Sequence, residues 1–171
     1  IDINDAKKVS AAEDLFRYFK ITVAGTETTD YESLTIECAD FEVIKAGTLG
    51  QYPVTIESGE YLCHTVLEVG VDIKDANFPD DNFELFVKQY DTGMLDGFLT
   101  VDELEKVKSI NIAGTSTTDR HQYKSLTGIE YFTKLQTLNC SYGILEALNV
   151  SKNTELTQLN CVYNNIVSIC W

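Results

Sequence analysis

Three acidic side chains between residues 91 and 103 have the types and spacing that could bind a divalent cation. Asp91, Asp96 and Glu103 supply carboxylate oxygens. A common calcium loop places oxygen ligands at positions one, three and five, glycine at six and a bidentate glutamate at twelve. Asp96 and Glu103, with the glycine after Asp96, fit positions five, six and twelve. Thr92 and Met94 then fall at positions one and three, so Asp91 can serve only if the loop holds an extra residue.

A second version of this loop, degenerate in other positions, lies at the start of the chain. Asp2 and Asn4 fit positions one and three, but an alanine and a lysine stand at five and six. Ser10 and Glu13 fit positions nine and twelve, and they also have the spacing of a capping box for a helix from Ala11 to about Tyr18. Both loops resemble EF-hands, and neither supplies six side-chain oxygens. We therefore expect structural turns with no metal and no cofactor, with calcium at the later loop as the alternative.

No group of residues has the pattern of a catalytic or thiolate site. The two histidines are His64, in a predicted strand, and His121, in a predicted loop where we expect it to be solvated. No GxSxG, HExxH, P-loop or GxGxxG motif occurs, so we expect no enzyme activity and no catalytic residue. The cysteines include no CxxC pair, which argues against a zinc site. They are Cys38, Cys63, Cys140, Cys161 and Cys170.

The charge of the chain excludes two classes of partner. Asp and Glu outnumber Lys and Arg by 27 to 13, which gives a formal net charge of −14. Nucleic-acid and anionic-membrane binding both rest on basic side chains, so neither is expected. No apolar run is long enough to cross a bilayer. The first residues do not form a signal peptide, which leaves a cytoplasmic protein or the mature form of a secreted one.

The C-terminal part of the chain repeats itself at a fixed offset. The segment 135–142, LQTLNCSY, matches the segment 156–163, LTQLNCVY. Further along, Leu148 matches Ile169 at the same offset. The pattern LxxLxC, followed by a turn and a further LxxL, is the signature of a leucine-rich repeat, and the offset from 135 to 156 lies within that repeat's range of lengths. The segment 107–114 is typical of a first, incomplete strand of the same stack.

The repeat predicts which side chains form the core of the stack. Leu138 and Cys140 point inward from one strand, because alternate residues of a strand share a face. The next coil then lays Leu159 and Cys161 over them. We therefore expect both cysteines to be small core fillers and not nucleophiles.

The repeat also predicts the turns. Asn164 stands where leucine-rich repeats place an asparagine whose amide satisfies buried turn carbonyls. Gly143 holds the matching place one coil earlier, so we expect that turn to be looser. Tyr142 and Tyr163, which are separated by the same offset, are expected to pack in the turns.

The N-terminal part of the chain echoes the C-terminal part. The segment 21–30, ITVAGTETTD, matches the segment 110–119, INIAGTSTTD, which suggests a partial second copy of one module. Between the copies, residues 42–45, 54–57 and 62–69 are typical of strands, with glycine-containing turns between them. We expect a small β-rich element there.

A helix–loop–helix is predicted between the two parts. Proline and carboxylates in a first turn favour a helix from about Phe78 to Tyr90, and a second helix should run to about Lys108. The predicted fold class is α+β: a short leucine-rich repeat solenoid, capped by these EF-hand-like helices and preceded by the β-rich element with its partial module. The predicted domains are residues 1–75 for that element, 76–108 for the cap and 109–171 for the repeats.

These features together resemble a known family. The residues that carry the resemblance are NFPDDNF at 77–83, the Asp96-Gly97…Glu103 loop, SLTGIEYF at 125–132 and the Leu-Asn-Cys repeats. They are similar to secreted bacterial leucine-rich repeat proteins with an EF-hand-like N-terminal cap, and internalin-type surface proteins are distant relatives in architecture. The resemblance implies an extracellular or cell-surface location and a role in binding a protein or a glycan.

The outward positions of the strands are the expected ligand-binding surface, because the core is filled and the turns are occupied with backbone hydrogen bonds. The predicted ligand-binding residues are Asn111, Gln136, Thr137, Asn139, Ser141, Thr157, Gln158 and Asn160. They include no aromatic or arginine anchor, so a solvated face without a ligand is the competing interpretation. Two further alternatives are a calcium-responsive structural element of a surface protein and an assembly element that self-associates through its C-terminal coil.

Overall fold

The computed structural model describes residues 1–19, 21–23, 26–27, 31–93 and 95–171. The chain divides into two compact units, Ile1–Gly70 and Val71–Trp171. Met94, predicted at position three of the later loop, lies outside the described residues, as do five residues of the segment 21–30. The duplication of that segment therefore stays a prediction.

The first unit is built on an antiparallel sheet. Its elements are α1 (Ile3–Ala6), a 3-10 helix (Ala12–Tyr18), β1 (Thr22–Val23), β2 (Thr26–Glu27), β3 (Thr35–Glu37), α2 (Phe41–Lys45), β4 (Gly50–Ser58) and β5 (Tyr61–Val69). β4 lies between β3 and β5, and β1 pairs with β2. Tyr52, Val54 and Ile56 are buried and alternate with more exposed residues, as in a strand with one face on a core. The predicted strands over 54–57 and 62–69 are confirmed.

The strand predicted over residues 42–45 is wrong. These residues belong to the helix α2, in which Ile44 donates its amide to the carbonyl of Asp40 at 3.0 Å. Val and Ile favour strands, but here the helix buries Ile44 completely, and packing of this kind overrides a weak local preference. Gly47, with a φ of 69°, follows the helix in the left-handed conformation that commonly ends helices.

The predicted capping box at the chain start is also wrong. The carboxylate of Asp14, and not that of Glu13, accepts hydrogen bonds from the amide and the hydroxyl of Ser10, each at 2.8 Å. The helix that follows is a 3-10 helix, whose tighter turn changes which side chain can reach back. Asp2 caps α1 by accepting the amide of Asn4 at 2.9 Å.

The second unit contains two short helices followed by parallel strands. Its elements are β6 (Val71–Asp72), α3 (Asp81–Val87), a 3-10 turn (Lys88–Tyr90), β7 (Phe98–Leu99), α4 (Val101–Lys106), β8 (Ser109–Asn111), a 3-10 turn (Ile129–Tyr131), β9 (Thr137–Asn139), β10 (Ala147–Asn149), β11 (Gln158–Asn160) and β12 (Ser168–Cys170). Both predicted helices are present. Among the described residues, no helix has the length and apolar character to cross a membrane.

Side chains at both helix starts satisfy amides that have no partner within the helix. Asp80 accepts the amide of Phe83 at 3.0 Å with one oxygen and the amide of Lys124 at 2.7 Å with the other. Thr100 and Glu103 form a reciprocal capping box at the start of α4. Asp80 therefore ties α3 to the segment that enters the repeats.

The repeats form two parallel sheets. β9 lies between β8 and β11, and β10 pairs with β12. Leu138 pairs with Ile110 on one side and with Leu159 on the other, and Leu148 pairs with Ile169. Leu138 and Ile110 are fully buried. The predicted superposition of coils is confirmed by this register, but Leu159 and Cys161, which were predicted to be core residues, are only half-buried. The chain carries a short leucine-rich repeat solenoid in an α+β fold.

Aromatic rings join the helical segment to the first coil. The ring of Phe83 lies 6.3 Å from that of Tyr123, and the ring of Tyr90 lies 5.6 Å from that of Phe132. Both pairs meet edge to face, the arrangement that aromatic quadrupoles favour. The helices therefore share a core with the repeats.

Candidate functional site

The exposed face of the β8–β9–β11 sheet carries two columns of polar side chains. The parallel register aligns Asn111, Asn139 and Asn160 in one column. Ser109, Thr137 and Gln158 form the other. Since side chains at the same register position of neighbouring strands project from the same face, identical amides recur at the strand spacing of about 4.8 Å. We call these six residues the polar face.

The asparagine column has a defined orientation. The Oδ1 atom of Asn139 accepts a hydrogen bond from the hydroxyl of Ser141 at 2.8 Å. The Oδ1 atoms of Asn111 and Asn160 each accept the backbone amide of the residue two positions later. Such turns are a common use of asparagine. The Nδ2 groups of Asn111, Asn139 and Asn160 make no hydrogen bond to the part of the chain that the structure describes. The column therefore offers hydrogen-bond donors.

The structure exposes most of the predicted ligand-binding residues. Gln136, Thr157, Gln158, Asn111 and Asn160 are exposed, and Thr137 and Asn139 are half-buried. Thr157 already donates its hydroxyl to the carbonyl of Gln136 at 3.1 Å. The predicted residues thus lie together on one side of the stack.

Ser141 is a correction, because it was predicted to face outward and its exposed fraction is 2%. Its hydroxyl turns back to Asn139 in place of projecting from the sheet. Ser109 replaces it on the face and was missed. Ser109 pairs with Thr137, but the chain segment between β8 and β9 is longer than the offset between the later repeats. The offset therefore did not point to Ser109.

The repeats carry no net charge. Residues 109–171 contain four acidic and four basic side chains, so the net charge of −14 arises before residue 109. The six residues of the polar face are uncharged. Any recognition by this face rests on hydrogen bonds and shape, since it has no charge for long-range attraction.

The carboxylate of Glu103 is occupied by protein donors. Its Oε1 accepts the amides of Thr92 and Gly93 at 2.7 and 2.8 Å, and its Oε2 accepts the amide and hydroxyl of Thr100 at 3.0 and 2.9 Å. Burial by itself raises the pKa of Glu103, but these hydrogen bonds outweigh it and lower the pKa to about 2. The carboxylate of Glu103 therefore links residues 92–93 at the start of the loop to Thr100 at its end.

The other two candidate ligands are also engaged. Asp91 accepts the amide of Gly97 at 2.8 Å, and Asp96 accepts the amide of Phe98 at 3.1 Å. One buried oxygen, Oδ1 of Asp91, has no hydrogen-bond partner. Among the described residues, no group of three or more His, Cys, Asp or Glu side chains could hold a metal ion.

A loop residue supports the turn after β9. The predicted solvation of His121 is wrong, because its Nε2 bonds the carbonyl of Cys140 at 2.9 Å and its Nδ1 accepts the amide of Tyr123 at 3.3 Å. A side chain at Gly143 would overlap this imidazole. The turn at Gly143, which we expected to be looser, is therefore held by His121 from outside the repeat.

The next turn follows the prediction. Asn164 donates to the carbonyls of Cys140 at 2.7 Å and Cys161 at 3.0 Å, and its Oδ1 accepts the amide of Leu145 at 3.1 Å. Cys140 is fully buried, and burial raises the pKa of its thiol to about 12. A protonated, buried thiol is a core filler and not a nucleophile.

Comparison with solved structures finds similar chains, among them two from Listeria monocytogenes. No protein-family model and no curated protein matches the chain. An internalin from Listeria monocytogenes aligns with 59% of this chain and 32% of its own, at 22% identity and a TM-score of 0.43. The functional domain of InlJ from the same organism, which includes a cysteine ladder, aligns with 54% of this chain and 19% of its own, at 29% identity and a TM-score of 0.44. The chain thus spans about a third of one neighbour and a fifth of the other.

Proposed function

We propose that this chain is a non-enzymatic, extracytoplasmic recognition module that binds a protein or glycan ligand through the polar face. The observation that carries the proposal is the register of Asn111, Asn139 and Asn160, which aligns three outward amides whose carbonyl oxygens are already bonded. An ordered array of this kind recognises a ligand at low entropic cost, because its side chains are positioned before binding.

The chemistry of the face indicates the chemistry of its ligand. The asparagine column offers N–H donors, and neither column of the polar face carries a charge. A complementary ligand therefore presents hydroxyl or carbonyl oxygens, as glycans and exposed protein backbones do. Because no ion pair contributes, the affinity should change little with salt concentration.

The two helices of the second unit supply the cap in this proposal. A solenoid needs a cap, since its end coil would otherwise expose an apolar face to water. The rings of Phe83 and Tyr90 lie against those of Tyr123 and Phe132 in the first coil, which supports this role. The loop between the helices is EF-hand-like in its spacing, and Glu103 closes it by accepting the amides of Thr92 and Thr100.

The test is a binding experiment with the purified full chain on a glycan array and on a panel of extracellular-matrix and serum proteins. Thr137→Arg places a charged, bulky side chain in the centre of the polar face. Ala147→Arg is the matched control, because Ala147 is equally a strand residue and is exposed on the other sheet. Binding that is lost with Thr137→Arg and retained with Ala147→Arg supports the proposal. Equal effects of the two variants on every bound probe would overturn it.

Self-association is a second candidate, favoured by three exposed apolar side chains between residues 163 and 171. Val167 and Trp171 are 90% and 76% exposed, and Tyr163 is 56% exposed. Exposed apolar side chains in one region commonly mark a contact surface. Sedimentation velocity over a wide range of protein concentrations tests this role. A dimer that Val167→Asp abolishes supports it, and a monomer at every concentration excludes it.

A further inference from the structure

A loop residue completes a turn of the repeat that lacks its own asparagine. Asn164 satisfies the carbonyls of its turn, but the matching position one coil earlier is Gly143. The space that a side chain would fill at Gly143 is occupied by the imidazole of His121. His121 reaches this place from residues 115–122, which we call the strap.

The strap is anchored to two successive coils. His121 donates its amide to the carbonyl of Tyr142 at 2.9 Å and bonds the carbonyl of Cys140 with its ring. Arg120 donates to the carbonyl of Tyr163 at 2.8 Å, one coil further along. The strap therefore links coils that are otherwise joined through strand pairing.

The two ring bonds of His121 require one neutral tautomer. Because the carbonyl of Cys140 only accepts, Nε2 must carry the hydrogen, and because the amide of Tyr123 only donates, Nδ1 must be bare. Protonation would place a second N–H against the amide of Tyr123. The ring cannot be charged and keep both bonds.

The charges around the ring act in opposite directions. Burial lowers the pKa of His121, Arg120 on the strap lowers it further, and the bond to Cys140 and the charge of Asp80 before α3 oppose them. The other titratable neighbours are neutral in this range, because burial raises the pKa of Tyr123 and raises that of Cys140 to about 12. The lowered pKa of His121 agrees with the neutral ring that its two hydrogen bonds require.

We propose that His121 is a pH-sensitive pin, which fastens the strap to the turns of the two coils at neutral pH and releases it in mild acid. The neutral imidazole fits the space over Gly143 and bonds the turn, whereas the imidazolium is expelled toward water. Since the closed state holds a histidine with a depressed pKa, its stability is complete above about pH 6.5 and falls as the pH drops toward the pKa of the folded state.

The experiment measures the imidazole resonances of the two histidines and amide-exchange protection factors between pH 7.5 and 5, using the full chain. The pKa of His121 should lie below about 6.5, the ordinary value of a histidine, with Nε2 protonated at neutral pH. The opening constant reported by the amides of Tyr123 and Gly143 should rise by up to about tenfold per pH unit below pH 6.5. His64→Asn, which removes the exposed histidine, should leave this dependence unchanged.

Two variants separate the pin from a general loss of stability. His121→Ala should leave the strap weakly protected at every pH. His121→Gln keeps an N–H donor that can reach the carbonyl of Cys140 but cannot titrate in this range, so protection of the turn should persist without the pH dependence. A wild-type protein whose His121 titrates at or above pH 6.5 with both ring bonds intact, or a His121→Ala variant with the wild-type pH dependence, would overturn the proposal.

Discussion

The side-chain amide of Asn164 lies 2.7 Å from the carbonyl oxygen of Cys140, a residue of the preceding coil. It also bonds the carbonyl of Cys161 in its own coil. One side chain thus donates to acceptors of two successive repeats. The stack is held by such bridging turns as well as by its apolar interior.

Replacing Asn164 should destabilise the stack strongly. Asn164→Ala removes the bonds to the carbonyl of Cys161 and the amide of Leu145, while the carbonyl of Cys140 keeps its bond to His121. We expect a loss of about 2–3 kcal/mol in the free energy of unfolding. Asn165→Ala, at the exposed neighbouring position, should cost less than about 0.5 kcal/mol. Urea denaturation followed by circular dichroism measures both, and equal costs would show that the bridge is unimportant.

Glu103 should make the fold sensitive to acid. Glu103→Gln replaces an acceptor of amides with an N–H₂ group that faces donors, so we expect a loss of about 2–3 kcal/mol. In the wild-type protein the pKa of this group is about 2, below that of the unfolded chain. Its stabilisation is therefore present above about pH 4.5 and is lost as the pH falls toward 2.

The control for Glu103 is Glu105→Gln, since Glu105 is exposed on the same helix. Denaturation midpoints from pH 7 to pH 2 should converge for the wild-type protein and Glu103→Gln in acid. Glu105→Gln should follow the wild-type curve throughout. Parallel curves for wild type and Glu103→Gln down to pH 2 would exclude the proposed role of the carboxylate.

Calcium should leave the thermal stability unchanged. A ligand that binds only the folded state raises the melting temperature, but the oxygens of Glu103 already accept four strong hydrogen bonds from the loop. Melting curves in excess EDTA and in excess calcium should superpose. A rise with calcium that Asp91→Asn abolishes would establish a site that includes the free oxygen of Asp91.

Gly128 should tolerate no side chain. Its φ is 102°, and a Cβ atom would lie 2.5 Å from a ring carbon of Phe78 and 2.7 Å from the carbonyl oxygen of Asn77. Gly128→Ala combines backbone strain with overpacking, so we expect a loss of about 2–4 kcal/mol. Gly97→Ala is the matched control, because Gly97 has a φ of 79° and open space around it. It should cost only about 1–2 kcal/mol, as thermal unfolding can measure.

The repeats could be predicted because the period of the sequence is the period of the structure. When one coil lies on the next, residues of the same type at a constant offset become neighbours on adjacent strands. Leu138 and Leu159 are paired in this way. The segment 42–45 could not be assigned in this way. Its Val and Ile fit a strand or a helix equally, and the burial of Ile44 decides for the helix.

The residues of the polar face were largely predictable from the sequence, but the contacts that hold the neighbouring turns were not. The alternation of the strands gives the exposed positions directly, whereas the burial of Ser141 depends on a turn at the strand end. The contact of His121 with the turn at Gly143 joins residues far apart in the chain. The one available signal was the glycine at position 143, where the next coil has Asn164.

The most direct test of this account is a nuclear Overhauser spectrum of the full chain with labelled Leu and Ile methyl groups. The account predicts cross-peaks from Leu138 to both Ile110 and Leu159, with strong contacts from each Hα to the following amide, as is typical of strands, at Thr137–Asn139. Contacts between every third residue along 135–142, with none between Leu138 and Leu159, would indicate a helix and contradict both the stack and its polar face.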